Sequence, residues 1–142
     1  MVLDQSHEGS RTAPDHDEIV QHIQLYIDGF NQSDASKFRQ CFDEDAWILF
    51  TDADGTLAKG PLRDVFDEWA GPDEPKDWEH RILSVTQAGD VASVILEMHS
   101  ASDPNERWVD IHSLLRIDGQ WKDMNKTATH ASRADWAGVA PD

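Results

Sequence analysis

Four consecutive runs of β-forming residues in the second half of the chain constrain its fold more than any other feature. They span residues 78–87, 91–100, 107–117 and 121–130, and short turn sequences separate them. One of these turns is Asp118-Gly119, a dipeptide that favours a two-residue hairpin. Hairpins of this kind place neighbouring strands side by side and antiparallel. The sequence therefore predicts a four-strand antiparallel meander.

The first half of the chain carries helical patterns instead. Apolar residues recur at helical spacing after Pro14, a residue that suits the first helical turn. Ser33 or Asp34 is expected to cap a short second helix, and Gly60-Pro61 to open a third. A strand is predicted over residues 46–51. Helices followed by a meander indicate an α+β domain in which three N-terminal helices pack on a curved antiparallel sheet.

The chain is predicted to form one domain between two tails. It has 142 residues, of which 39% are hydrophobic, and this is enough for a single core. The domain is expected over residues 14–133, with a mobile N-terminal tail at 1–13 and a C-terminal tail at 134–142.

Charge and composition exclude several classes of partner. The chain has 28 acidic and 12 basic residues, and its net charge of −16 repels nucleic-acid phosphates and anionic lipid surfaces. Neither nucleic acid nor a membrane is therefore expected as a partner. The first residues lack the features of a signal peptide, so a cytoplasmic location is expected. Cys41 is the only cysteine and no ligand spacing stands out, so no metal and no cofactor are expected.

The Asp118-Gly119 turn also predicts which side chains share a face of the sheet. Counting back from the turn sets His112 opposite Asn125 and Asp110 opposite Thr127. Counting through the preceding turn sets Glu97 opposite Asp110. One face then carries a polar row made of Glu97, His99, Trp108, Asp110, His112, Asn125 and Thr127. Histidines and carboxylates within reach of one another can perform acid–base catalysis near neutral pH.

Two interpretations of the sheet faces stay open. Plain alternation places the more apolar face on the core and the polar row in water. The residues of that apolar face include Val94, Leu96, Met98, Val109, Ile111 and Leu115. The opposite arrangement directs the polar row into a cavity, because Trp108 and Leu114 share its face and are poorly suited to water. In that case the apolar face is convex and is expected to form a homodimer.

Several stretches of the chain resemble a known family. They read YIDGFNQSDASKFRQCFDEDA from Tyr26, DGTLAKG from Asp54, GDVASV from Gly89, WVDIHSLLRIDGQWK from Trp108 and NKTATH from Asn125. The order of elements resembles the cystatin-like, cone-shaped fold of nuclear-transport-factor-2-like proteins, ketosteroid isomerases, scytalone dehydratases and polyketide cyclases. Within that group the amino-acid sequence is similar to the putative lumazine-binding family. The resemblance implies a cone-shaped cavity that holds a small apolar or aromatic molecule.

The resemblance also bears on individual residues. Tyr26 resembles the helix-one tyrosine that ketosteroid isomerases use as an oxyanion donor. Where those enzymes carry a general-base aspartate, however, residues 47–50 read Trp-Ile-Leu-Phe. If the chain is an enzyme, we expect a cofactor-independent isomerase, dehydratase or cyclase with Asp110 and His112 as catalytic residues. The expected ligand contacts are Tyr26, Trp47, Trp69, Glu97, His99, Trp108, Asn125 and Thr127.

Three functions therefore stay open: a small-molecule binding protein, an acid–base enzyme of that kind, and a dimeric accessory or scaffold subunit. A remote fourth function follows from the segment Asp52 to Thr56, which matches the nucleophile motif of haloacid-dehalogenase-type phosphatases. That chemistry needs alternating strands and helices in a parallel sheet, whereas this chain has hairpins. The motif is therefore interpreted as a hairpin turn.

Overall fold

The computed structural model describes residues 13–52, 54–72, 76–103 and 107–129. The helices are α1 (His16–Asn31), α2 (Ala35–Cys41) and α3 (Phe66–Trp69), with a 3₁₀ turn at Leu62–Asp64. The strands are β1 (Phe42–Thr51), β2 (Leu57–Pro61), β3 (Trp78–Ala88), β4 (Val91–Ser100), β5 (Arg107–Ile117) and β6 (Gln120–Ala128). Apart from Ala13, the predicted tails at 1–13 and 134–142 lie outside the described residues.

The helices form largely where their sequence patterns place them. The apolar stripe of α1 is buried, and it consists of Ile19, Ile23, Tyr26, Ile27 and Phe30. Asp34 caps α2 because its carboxylate accepts a hydrogen bond from the Ser36 N–H at 3.0 Å. The predicted third helix is shorter than expected. Gly60-Pro61 ends β2, a strand that the sequence did not predict, and only the 3₁₀ turn and the four residues of α3 follow it.

The strands form one sheet in the order β2-β1-β6-β5-β4-β3. Strands β3 to β6 make the predicted antiparallel meander. Asp118 and Gly119 have φ angles of 52° and 81°, as a two-residue type I′ hairpin requires. Strand β1 pairs antiparallel with β2 and parallel with β6, so one of the five strand pairs in the predicted antiparallel sheet is parallel. The Asp52 segment connects β1 and β2 as a hairpin turn, as predicted.

A β-bulge changes the pairing between β5 and β6. Leu114 lies opposite Asp123, as predicted, but Ser113 lies opposite Asn125, so Met124 is an extra residue on β6. Beyond the bulge His112 lies opposite Lys126, and Asp110 lies opposite Ala128. The predicted pairs of His112 with Asn125 and of Asp110 with Thr127 are therefore wrong by one residue.

The pairing between β4 and β5 is also shifted by one residue from the prediction. Asp110 lies opposite Leu96, and Glu97 lies opposite Val109. Because paired residues share a face and neighbours along a strand alternate, Glu97 and His99 face away from Asp110. The predicted polar row is therefore divided between the two faces of the sheet.

The predicted apolar face is divided in the same way. Val94, Leu96 and Met98 have no exposed surface and lie in the core under the helices. Ile111 and Leu115 face the other side, where 43% and 39% of their surface is exposed. We call the helix-covered side of the sheet the inner face and the opposite side the outer face. The core lies between the helices and the inner face.

Candidate functional site

The inner face holds a buried network of five ionisable side chains, contributed by three elements. Tyr26 comes from α1, Asp110 and His112 from β5, and Asp123 and Lys126 from β6. Each of these side chains is at most 6% exposed. Alternation along β5 directs Asp110 and His112 inward, and the bulge on β6 lets both Asp123 and Lys126 share that face.

The contacts within the buried network centre on Asp110 and His112. The Tyr26 hydroxyl donates a hydrogen bond to Asp110 Oδ2 at 2.8 Å. His112 Nδ1 lies 2.5 Å from Asp123 Oδ2, and His112 Nε2 lies 3.7 Å from Asp110 Oδ2. Lys126 Nζ lies 3.7 Å from Asp110 Oδ1. Two carboxylates therefore flank one imidazole, and one of them also faces an ammonium.

Burial and charge shift the pKa values of the network in different directions. Burial lowers the pKa of His112, but the neighbouring Asp123 and Asp110 raise it more, to about 9. Burial raises the pKa of Asp110, yet Lys126 and His112 outweigh it and hold that pKa below the usual value. Burial raises the pKa of Asp123, and burial together with Asp110 raises the pKa of Tyr26 well above its ordinary range. At neutral pH, Asp110 is therefore a carboxylate and Tyr26 is a neutral phenol.

The network is sealed by aromatic rings. The Tyr26 ring makes edge-on contacts with Phe30, Phe42 and His112, at centroid distances of 5.2, 5.7 and 4.8 Å. Tyr26, Asp110 and His112 have no exposed surface. A bound molecule would therefore reach the network first at Lys126, which lies at its border.

Three aromatic rings surround the Lys126 ammonium, and we call this arrangement the lysine cage. The Nζ atom lies 4.8 Å from the Trp69 ring centroid, 5.7 Å from that of Tyr26 and 5.8 Å from that of Trp108. Such distances are those of cation–π contacts. Trp69 and Trp108 are half-buried, so the lysine cage joins the sealed network to the surface.

The network and the cage contain polar atoms that lack hydrogen bonds. Asp110 Oδ1, His112 Nε2, Asp123 Oδ1 and Trp108 Nε1 are buried without a partner among the described residues. The Lys126 ammonium, with a side chain only 6% exposed, also makes no hydrogen bond to the part of the chain described, and its ion-pair contact with Asp110 Oδ1 is 3.7 Å long. Buried polar groups in folded proteins are usually paired, so unpaired atoms at a surface-connected cage mark a candidate binding site.

The structure brings five of the ten predicted site residues together. These five are Tyr26, Trp69, Trp108, Asp110 and His112. The other five are Trp47, Glu97, His99, Asn125 and Thr127, and they face the outer side of the sheet. There, Arg81 and Arg107 hold Glu97 at 2.9 and 2.8 Å, and His99 contacts Glu79 at 3.0 Å. The Thr127 hydroxyl donates to Asn125 Oδ1 at 2.9 Å, and Trp47 is 42% exposed.

Sequence reasoning missed two members of the network, Asp123 and Lys126. The predicted pairing already set Asp123 opposite Leu114, and Leu114 shares a face with His112, so this residue could have been found. Lys126 turns inward only because of the bulge at Met124, which no glycine or proline marks in the sequence.

A separate groove of about 500 Å³ lies beside the β5–β6 turn. Its lining residues are Glu18, His22, Leu25, Gln40, Gly119, Gln120, Trp121 and Lys122. None of the predicted site residues lines it.

Within the described ranges, no group of three or more His, Cys, Asp or Glu side chains is placed to hold a metal ion. No helix among these residues is long and apolar enough to cross a membrane.

The family profile described as putative lumazine-binding matches residues 14–128. The chain belongs to this family. This confirms the resemblance noted in the sequence. Together with the similarity to solved NTF2-like structures, it places the chain in the nuclear-transport-factor-2-like superfamily. A comparison with curated proteins finds no match.

Solved structures confirm the fold of this family member. An NTF2-like protein of unknown function from Shewanella baltica OS155 has 23% identity and a TM-score of 0.70, over 89% of this chain and 96% of that one. An NTF2-like protein of unknown function from Methylobacillus flagellatus KT has 26% identity and a TM-score of 0.70, over 82% and 92%. A ketosteroid isomerase-like protein from Erwinia carotovora atroseptica SCRI1043 has 16% identity and a TM-score of 0.62, over 85% and 99%. These similarities establish the α+β cone.

Proposed function

We propose that this protein binds a small aromatic or apolar molecule at the lysine cage. The observation that carries the proposal is the placement of two half-buried tryptophans, Trp69 and Trp108, around the ammonium of the buried Lys126 side chain. This ammonium makes no hydrogen bond to any residue that the structure describes. Ligand sites in proteins combine apolar and aromatic walls with a few placed polar groups. The family description and the cone fold support the same function.

The rings of the cage also account for the expected selectivity. Aromatic pairs gain about 0.5–1.5 kcal/mol beyond the area they bury, so a flat ring against Trp69 or Trp108 is favoured over an alkyl chain of equal area. The ligand is therefore expected to be planar.

The test is a thermal-shift screen of planar aromatic compounds against wild type, Trp108→Leu and Trp47→Leu. Trp47 is the matched control because it lies on the outer face and is exposed. We expect Trp108→Leu to weaken binding of each hit by about tenfold or more, as for central aromatic contacts in other interfaces. An equal loss of affinity in both variants, or no loss of affinity in Trp108→Leu, would show that the ligand binds elsewhere.

The buried network supports a second candidate function, an acid–base enzyme of the isomerase, dehydratase or cyclase type. The supporting observation is that His112, with a pKa of about 9, lies between two carboxylates, one of which accepts a hydrogen bond from Tyr26. Groups whose pKa values are pushed apart can donate and accept protons in one reaction. In this proposal Asp110 and His112 are the catalytic residues.

Proton exchange into a bound ligand tests this second candidate. A hit from the screen is incubated with the protein in D₂O, and deuterium incorporation at carbon is followed by mass spectrometry. An enzyme should incorporate deuterium, and Asp110→Asn should reduce the rate at least about a hundredfold, as removal of a general acid or base does. Binding without incorporation would leave the protein a binding protein only.

We also propose a homodimer through the outer face. Val91 and Leu115 are paired across β4 and β5, as are Ile95 and Ile111, and Val91, Leu115 and Ile111 are 51%, 39% and 43% exposed. Adjacent exposed apolar pairs on a sheet are typical of an interface. A stable dimer would bury about 1,200–2,000 Å² there. A scaffold subunit would form this dimer and bind no aromatic ligand.

Light scattering of the 16.0 kDa chain tests the dimer. We expect about twice that mass for wild type and for Leu57→Asp, and the monomer mass for Ile111→Asp, which puts an unpaired charge into the interface. Leu57 is a matched control because it is exposed on β2, away from β4 and β5. A monomeric wild-type protein at micromolar concentration would exclude the dimer.

A further inference from the structure

We infer that Lys126 anchors the bound molecule, and that it selects an uncharged planar compound carrying a hydrogen-bond acceptor such as a conjugated carbonyl oxygen. This inference rests on the proposed binding function, since it assigns the ligand class of the same site. Lys126 was not among the residues that the sequence predicted for the site.

The first argument concerns the donors of Lys126. Its ammonium carries three N–H donors, its side chain is 6% exposed, and it makes no hydrogen bond to any described residue. Cation–π contacts with Trp69, Tyr26 and Trp108 attract the charge but leave the donors unpaired. A largely buried N–H donor without an acceptor costs free energy. A hydrogen bond from Lys126 to an acceptor atom on a bound ring should therefore stabilise the complex by more than the acceptor's lost hydrogen bonds to water destabilise it.

The second argument concerns the charge balance of the buried network. His112 Nδ1 and Asp123 Oδ2 lie 2.5 Å apart. Because the pKa of His112 is raised to about 9, its imidazolium and the Asp123 carboxylate form a pair without net charge at neutral pH. Asp110 and Lys126 form a second pair of opposite charges, 3.7 Å apart, and the neutral Tyr26 hydroxyl donates a hydrogen bond to Asp110. The network facing the cage is therefore already neutral.

A neutral network disfavours a charged ligand. A carboxylate at Lys126 would lie beside Asp110 and would give the buried network a net negative charge, which costs free energy in a region poor in water. The overall charge of −16 repels the same anion at longer range. A carbonyl oxygen accepts the Lys126 hydrogen bond without either penalty.

Three probes of matched shape test the inference by equilibrium dialysis. They are acetylnaphthalene, which is neutral with an acceptor; isopropenylnaphthalene, which has the same outline and no acceptor; and naphthoate, which is an anion. All carry their substituent at the same ring position. In wild type we expect acetylnaphthalene to bind about tenfold more tightly than isopropenylnaphthalene, the effect of one hydrogen bond to a charged group. We expect naphthoate to bind at least about tenfold more weakly than acetylnaphthalene.

Two variants connect the preference to Lys126. Lys126→Met keeps the length of the side chain and removes the donors, so the two neutral probes should bind equally well. Lys122→Met is the matched control, because Lys122 lies on the same strand but lines the separate groove, and it should keep the wild-type ratio. If Lys126→Met does not fold, the ranking of the three probes in wild type decides alone.

The possible failures are distinguishable. Equal binding of the two neutral probes to wild type would overturn the role of Lys126 and leave the proposed binding function intact. Tightest binding of naphthoate would overturn the selection for uncharged molecules. Failure of every neutral aromatic probe, in this set and in the wider screen, would refute the binding function and the inference with it.

Discussion

Loss of stability between pH 7 and 8.5 is the expected consequence of the buried His112 imidazole. Burial lowers its pKa, but Asp123 and Asp110 raise it more, from 6.5 to about 9. The folded protein therefore keeps a proton that the unfolded chain has already released. The stabilisation from His112 is fully present below pH 6.5 and is lost as the pH rises through about 9.

The size of the effect follows from the interval between the two pKa values. Within that interval each pH unit removes about 1.4 kcal/mol from the free energy of unfolding. From pH 7 to pH 8.5 His112 should therefore account for a loss of roughly 2 kcal/mol. Burial lowers the pKa of His22, so its contribution changes below pH 6.5 and stays constant over this range.

Urea unfolding at pH 7 and at pH 8.5 measures this loss in wild type, His112→Gln and His99→Gln. His99 is the matched control because it is a strand histidine on the outer face, where it contacts Glu79. His112→Gln should be less stable than wild type at pH 7. Between pH 7 and pH 8.5 its free energy of unfolding should fall by roughly 2 kcal/mol less than that of wild type, whereas the free energy of unfolding of His99→Gln should fall as much as that of wild type. An identical pH dependence in all three proteins, or an NMR titration of His112 near 6.5, would refute the charged buried imidazole.

Two further predictions concern the helix contact and the β1–β2 turn. Gly29→Ala should lower the free energy of unfolding by up to about 2 kcal/mol, because its Cβ would lie 2.6 Å from the Phe38 ring and the cost of overpacking exceeds the gain in helix propensity. Urea unfolding should show almost no effect of Gly60→Ala, whose Cβ meets nothing within 4 Å. Neither wild type nor Asp52→Asn should hydrolyse an aryl phosphate in a magnesium-dependent assay, because Asp52 is a turn residue that binds the Thr56 N–H. Turnover that disappears in Asp52→Asn would restore the phosphatase hypothesis.

The sequence predicted the meander because its signals are local. Asp118-Gly119 can adopt two successive positive φ angles, and this fixes the hairpin and the pair of Ile117 with Gln120 next to it. Strand β2 was not predicted, because its five residues, LAKGP, show no alternation and contain both glycine and proline.

The candidate site was only partly predictable, because a register error of one residue exchanges the two faces of a strand. The bulge at Met124 and the longer connection between β4 and β5 each shift the pairing by one residue. Asp110, His112 and Trp108 were assigned to one shared face correctly, since they lie on a single regular strand. Glu97 and Asn125 were assigned to it wrongly. The placement of Glu97 depended on counting across the connection between β4 and β5, and that of Asn125 on counting past the bulge at Met124.

Lys126 shows why a binding site cannot be located from the usual burial of each residue type alone. Lysine is among the residues least often buried, so a sequence pattern assigns it to the surface. Here the bulge directs it inward, and Asp110 with the rings of Tyr26, Trp69 and Trp108 offsets the cost of its charge.

The location of the binding site is tested most directly by the indole N–H resonances of the six tryptophans in a ¹⁵N-labelled sample. Trp69 and Trp108 lie in the lysine cage, Trp121 lines the separate groove, and Trp47 lies on the outer face. On addition of acetylnaphthalene we expect the Trp69 and Trp108 signals to shift in a saturable way, while those of Trp121 and Trp47 stay in place. Saturable shifts at Trp121 or Trp47 with unmoved Trp69 and Trp108 signals would contradict the lysine cage as the binding site.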